Sequence, residues 1–263
     1  MTTITASEVN KLRKATGAGM MDCKKALQES GGDFEKAIDY LRKKGQKVSA
    51  KRADREANEG AIIAITNDNQ TTGVIVELNC ETDFVAKNED FISFAKSIAN
   101  VAIAEQPANK EDLLNLSFDG TPISTKLEEY VGKIGEKIGV GTYKIVKAAS
   151  VIPYIHSGNR IGVLVEMNKE SNDAITAAGK DVAMQIAAMN PVAVSKEDVT
   201  EDVISREMEV GMEQAKAEGK PENMLEKIAQ GKLNKFFKEN TLLAQPFVKD
   251  SKSSVAQMLE TTE

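Results

Sequence analysis

One histidine, two cysteines and six prolines are found among 263 residues. With His156 alone, no multi-histidine metal centre can form. A mixed zinc site would need His156, Cys23 and Cys80 brought together from distant positions. The two cysteines have neither the number nor the spacing of a disulfide framework and are expected as reduced thiols of a cytoplasmic protein. No apolar run approaches the roughly 18–20 residues that span a bilayer. Met1-Thr2-Thr3-Ile4-Thr5 lacks the basic-then-apolar order of a secretory signal, so no membrane role is expected. Phosphate-cradling glycines are missing as well. Gly231-Lys232 is followed by Leu233 without an upstream glycine, and Gly139-Val140-Gly141 lacks the third glycine of a dinucleotide fingerprint. No cofactor, metal or directly bound nucleotide is expected, and a binding protein is favoured over an enzyme.

The chain is 41% apolar and 28% charged, long enough to bury a core without staples, as one large domain or two to three small ones. Its charge is uneven. Residues 1–55 carry 13 Lys and Arg against 7 Asp and Glu, whereas the remainder carries 21 against 33. Such asymmetry marks separate modules. In the basic part, Thr5 and Glu8 have capping-box spacing before a stripe of Val9 and Leu12. Cys23, Ala26 and Leu27 follow Gly17-Ala18-Gly19, and Phe34, Ala37, Ile38 and Leu41 follow a capping Asp33 up to Gly45. Three short helices are predicted, on a helical or flexible linker over residues 46–59.

From residue 60 the period changes to a β-hairpin over 61–65 and 73–78, then a helix over 88–105 with Phe91, Phe94, Ile98 and Val101 on one face. A further helix carries Leu127, Val131, Ile134 and Ile138 before a strand near 143–146. Gly162-Val163-Leu164-Val165-Glu166-Met167-Asn168 then nearly repeats Gly73-Val74-Ile75-Val76-Glu77-Leu78-Asn79, and each copy leads to a helix closing near Pro107 or Pro191. The pattern reads as a duplication. The expected fold is α+β: a three-helix module (1–54), a first subdomain of small antiparallel sheet and helices (55–147), and a related second one (148–263). Within the last, residues 198–239 form an inserted hairpin of helices, with Ile204, Met208, Met212 and Ala215 facing Leu225, Ile228, Leu233 and Phe236. This hairpin is either core packing or a dimerisation arm.

The copies diverge after the shared strand, where the first has Thr82-Asp83-Phe84-Val85 and the second a wholly polar run. Either Phe84 folds into its own core with Asp83 capping the next helix, or it is an anchor for a partner. Met20 and Met21 offer soft apolar contact at the start of a helix. The cluster Arg42-Lys43-Lys44 with Lys47, Lys51, Arg52 and Arg55 has no interleaved aromatics in an acidic chain, so nucleic-acid binding is not expected. His156, in a turn beside Tyr154, reads as structural.

Thr16-Gly17-Ala18-Gly19-Met20-Met21-Asp22-Cys23-Lys24-Lys25-Ala26-Leu27 resembles the N-terminal signature of the bacterial elongation factor Ts family. So do Thr82-Asp83-Phe84-Val85-Ala86-Lys87, His156 with Arg160-Ile161-Gly162-Val163-Leu164, and Gln245-Pro246-Phe247-Val248. They occur in the family's order along nearly the whole chain. The chain ends 15 residues after Val248, where many members run on into a terminal module. The resemblance implies a guanine-nucleotide exchange factor for elongation factor Tu, with a UBA-like N-terminal module, two core subdomains and a coiled-coil hairpin. It implies that Thr82, Asp83, Phe84 and Val85 dislodge the partner's magnesium ion, and that Arg13, Met20, Met21, Lys24 and His156 contact the partner. The competing reading is a helical adaptor or scaffold without exchange activity.

Overall fold

The computed structural model describes residues 4–262, which separate into two compact units. The first gathers the chain up to Lys147 together with Ile155–Gly162; the second holds Ala148–Tyr154 and the chain from Val163 onward. The class is α+β, as the sequence predicts.

In the first unit the order is α1 (Ala6–Thr16), α2 (Met20–Glu29), α3 (Phe34–Lys51), β1 (Glu59–Thr66), β2 (Thr72–Cys80), α4 (Asp83–Ala86), α5 (Glu89–Glu105), α6 (Lys110–Asn115), β3 (Ser117–Phe118), β4 (Thr121–Pro122), α7 (Ile123–Ile134) and β5 (Gly139–Lys147). Thr5 and Glu8 form the reciprocal capping box, Gly17 closes α1 in the left-handed conformation, and Asp33 caps α3. Val9, Leu12, Cys23, Ala26, Leu27 and Ala37 meet in a small core of their own.

Helix α3 does not stop at Gly45 but runs through it to Lys51. A Cβ on Gly45 would lie 2.9 Å from the Glu128 carbonyl oxygen, and one on Gly132 only 2.7 Å from the Gly45 Cα. The two glycines thus let α3 and α7 cross backbone against backbone. Glycine costs a helix about 1 kcal/mol relative to alanine; here the close packing it permits offsets that. Val48, one turn on, packs against the main core of the unit. The three-helix module therefore lies along α7, and the stretch expected to be helical or flexible is helical through Lys51.

Strands β1, β2 and β5 form an antiparallel sheet with β2 in the middle. Period-two alternation puts Ile63, Val74, Val76 and Leu78 on the face covered by Phe91, Phe94, Ala95 and Ile98 of α5. Left-handed Gly135 ends α7, so Ile138 falls outside that helix, though it is buried in the same core.

The second unit holds β6 (Ser150–Ile155) up to Tyr154, paired with β7 (Gly162–Met167) from Val163, and then α8 (Asp173–Met189), α9 (Glu201–Ala217), α10 (Leu225–Asn240), β8 (Pro246–Phe247), β9 (Asp250–Ser254) and α11 (Val255–Glu260). The duplication extends beyond the strand. Helices α5 and α8 each have 17 residues, and each is closed by a left-handed residue, Gln106 or Asn190, immediately before its proline. The copies are offset by 89 residues at the strand but by 84 at the helix, so the first carries five more residues between them. Those residues hold α4. Helices α9 and α10 pack along Ala215, Ala229 and Leu233, with Gly211 close against Ala229. Met212, expected in this seam, is exposed; the smaller Gly211 takes its place.

The Gln245-Pro246-Phe247-Val248 stretch is explained by packing. Gln185 and Gln245 are both fully buried. The Gln185 Nε2 donates to Gln245 Oε1 at 3.0 Å and to the Pro246 carbonyl at 3.2 Å, while its Oε1 accepts from the Val248 N–H at 2.9 Å. Gln245 Nε2 donates to the Glu239 carbonyl at 3.0 Å. Gln245→Ala should cost about 1–3 kcal/mol, because it strands buried polar groups. Urea unfolding checks this; an unchanged midpoint contradicts it.

Candidate functional site

Helix α4 is a single turn whose two faces are treated differently. Ala86 is buried and Val85 packs on the main core, whereas Phe84 is 84% exposed. A phenylalanine left in water forgoes about 2–3 kcal/mol of burial. This exposure overturns the reading in which Phe84 folds into its own core. Asp83 does not cap the following helix; Asn88 does, accepting from the Asp90 N–H at 2.9 Å. Asp83 instead pairs with Lys87 at 2.7 Å. The Lys87 ammonium, with a smaller contribution from Arg160, holds the Asp83 carboxyl below its ordinary range.

The turn is rigid at its base. The Glu136 carboxylate accepts from the Thr82 hydroxyl at 2.7 Å and from the Glu81 and Thr82 backbone N–H groups at 3.1 Å each. Glu81 in turn accepts from the Lys137 N–H at 2.6 Å, Arg52 at 2.7 Å and Arg55 at 3.4 Å. Lys137 Nζ donates to the Ala53 and Arg55 carbonyls at 2.7 Å. Thus the end of α3, the end of β2 and the α7–β5 connection are tied together directly beneath α4. Sequence reasoning missed Glu81 and Glu136, since nothing in the chain advertises a pairing across 55 residues. It also placed Arg52 and Arg55 only in a basic cluster not expected to bind nucleic acid, without the carboxylate that holds them.

Burial works to raise the Glu81 carboxyl, but the Lys137 N–H, Arg52 and Arg55 outweigh it and hold the group below its ordinary value of 4.5. A carboxyl lowered in the folded state adds stability above its unfolded value, and that contribution is lost as pH falls through the lowered one. Stability should therefore decline with acidification below about pH 4.5. Glu81→Gln should flatten that decline in urea melts taken from pH 5 downward. An unchanged slope would remove Glu81 from the account. Cys80 closes the base from within: fully buried, its thiol is pushed up to about 12 by burial and the Glu136 charge. It is an inert core group, and Cys23 is likewise buried and free.

His156 is exposed and opens the turn Ser157–Asn159. Asn159 donates to the Ile62 carbonyl at 3.1 Å, and Arg160 pairs with Glu59 of β1. Arg160 also helps to lower the Asp83 carboxyl, and both this turn and α4 pack against β1. Arg13, Met20, Met21 and Lys24 are exposed on α1 and α2, with Met20 at 52% and Met21 at 74%. Cys23, Ala26 and Leu27 fill the core side of α2, which leaves both methionines outward. Among the described residues no cluster of three or more His, Cys, Asp or Glu is placed to hold a metal, and no helix is long and apolar enough to cross a membrane.

Comparison with known proteins places the chain among relatives of one kind. The family model described as Elongation factor TS matches residues 81–263. The Elongation factor Ts of Christiangramia forsetii is 55% identical over 263 residues, covering 100% of this chain and 95% of that protein. That of Amoebophilus asiaticus is 54% identical over 256 residues, 97% and 92% of the two chains. That of Chlorobaculum parvum is 42% identical over 266 residues, 99% and 92%. The family model over residues 81–263 and these full-length matches lead to one conclusion: the chain belongs to the elongation factor Ts family of translation elongation factors.

Proposed function

We propose that this protein binds elongation factor Tu in its GDP-bound form and promotes GDP release, so that GTP can rebind. The observation that carries the reading is Phe84: a large aromatic ring, 84% exposed, on a turn fixed beneath by Glu136 and Glu81. An exchange factor need not touch the nucleotide. It binds the nucleotide-free GTPase better than the GDP-bound one, and GDP affinity falls reciprocally. Each tenfold loss takes about 1.4 kcal/mol. Seating Phe84 between partner elements yields about 2–3 kcal/mol, one to two decades. In this reading residues 82–85 disturb the partner's magnesium and phosphate site. Arg13, Met20, Met21 and Lys24 hold its nucleotide domain, and His156 lies at the same interface.

The working division is 1–54 and 55–147 on the nucleotide domain and 148–263 on the third domain of the GTPase, in the cytoplasm. The helical hairpin, which exposes Val210, Met212 and Met224, is the candidate contact for a second copy. No covalent step is involved. Stopped-flow release of fluorescent GDP from elongation factor Tu tests the proposal: release should accelerate with added protein until it saturates. A rate independent of this protein leaves the adaptor reading instead.

A further inference from the structure

Away from α4, a cleft of about 510 Å³ opens where α1, α3 and α7 meet, wholly within the first unit. Lys14, Arg42, Lys44, Lys126 and Lys133 line it, against only two acids, Asp22 and Glu129. The wall thus carries a net +3 in a chain whose net charge is −6. Asp22 engages Lys44, and Glu129 takes Arg42 at 2.8 Å with Lys126 at 4.0 Å. Lys133 also pairs with Asp90 of α5 at 3.6 Å, so three carboxylates stand against the five cations and leave a surplus of two, with the cations spread over three helices.

The cleft has features of a built site. A Cβ on Gly17 would lie 3.0–3.2 Å from the outer methylenes and amine of Lys133, so the glycine that ends α1 also clears the path of that lysine. Lys126 and Lys133 lie 5.9 Å and 5.3 Å over the rings of Phe118 and Tyr130, which fixes their direction. Phe94 stacks on Tyr130 at 4.5 Å, so these aromatic faces are already taken and offer little to a flat base. The Tyr130 hydroxyl is the one buried side-chain polar atom without a hydrogen-bond partner among the described residues, and Tyr130 lines this cleft.

We infer that this cleft binds a small polyphosphate anion, whose several charges are held at once by Lys14 of α1, Arg42 and Lys44 of α3, and Lys126 and Lys133 of α7. A lone carboxylate would neutralise one of the two surplus charges; a compact anion bearing several meets both and competes with the wall's own carboxylates for the other cations. The volume lies within the usual range for small-ligand sites, about 300–1,000 Å³. Arginine contributes a planar fork and the lysines point charges, a combination suited to phosphoryl oxygens. Because its contacts come from α1, α3 and α7, the anion would fasten the three-helix module to α7. The inference stands on the cleft alone, whatever the exchange activity proves to be.

Titration calorimetry of the full chain with inorganic tripolyphosphate at physiological salt tests it. One saturable site per chain is expected, with a Kd below about 1 mM. The double variant Lys126→Gln, Lys133→Gln should weaken binding about tenfold or more, and Lys14→Gln several-fold. Lys235→Gln with Lys238→Gln, on α10 outside the cleft, should leave it unchanged. A thermal melt of each variant accompanies the titration; if the double variant is unfolded, Lys14→Gln alone decides. Absent saturation, several equivalent sites per chain, or equal weakening by the α10 variant would each overturn the inference.

Discussion

Phe84→Ala should slow catalysed GDP release from elongation factor Tu by about ten- to a hundredfold, the kinetic equivalent of losing one buried phenylalanine at the interface. Its thermal midpoint should stay within about 2 °C of the parent, because surface truncations away from special features change stability little. The ring is 84% exposed, so its removal opens no cavity. A buried phenylalanine would behave otherwise, costing about 3–5 kcal/mol. Thr82→Val offers a contrast, since it removes the hydroxyl given to Glu136 while keeping the ring. It should slow exchange less, by loosening the turn rather than deleting its tip. If Phe84→Ala matches the parent in stopped flow, the wedge is not what opens the nucleotide site.

Gly132→Leu should produce the largest structural effect. Its Cβ would stand 2.7 Å from the Gly45 Cα, and what it meets is backbone, which cannot rotate away. Overpacking of cores costs about 1–3 kcal/mol, and the upper end is expected where the obstacle is main chain. The three-helix module has its own core, so separation of α3 from α7 need not unfold it. The damage should instead show in the segment between α3 and β1, where Arg52 and Arg55 are held by Glu81 and their neighbouring carbonyls by Lys137. Trypsin should cleave after these arginines much faster in the variant than in the parent. Gly132→Ala should act in the same direction with a smaller effect. A variant that melts and resists trypsin like the parent would mean the crossing tolerates separation.

Local chemistry made much of the fold legible in the sequence. Capping residues and 3.6-residue stripes located α1, α2, α5 and α9, and two short apolar runs either side of a polar turn located β1 and β2, because each signal arises within a short stretch of chain. Gly45 misled for the converse reason: a glycine that stops a helix and one that admits a neighbouring helix look alike until Gly132 is beside it. Met212 and Gly211 repeat the lesson, since the seam selected the small residue over the apolar one. At the candidate site, Phe84 was legible as the residue one repeat has and the other lacks. Glu81 and Glu136, which fix its base, were not. Their role depends on a contact between the end of β2 and the turn after α7, which no periodicity records.

Under the proposed function, the five additional residues of the first copy would also set a stoichiometry. A duplicated scaffold with α4 in both halves would give each chain two projecting aromatic tips and let it engage two GTPases in the same manner. With α4 in one half only, the described residues of each chain offer a single tip, and under the proposed function the other half would be free to meet a different surface of the same partner. A dimer would then service two GTPases, one per chain, and exchange measured per chain should be the same whether the protein is dilute or assembled.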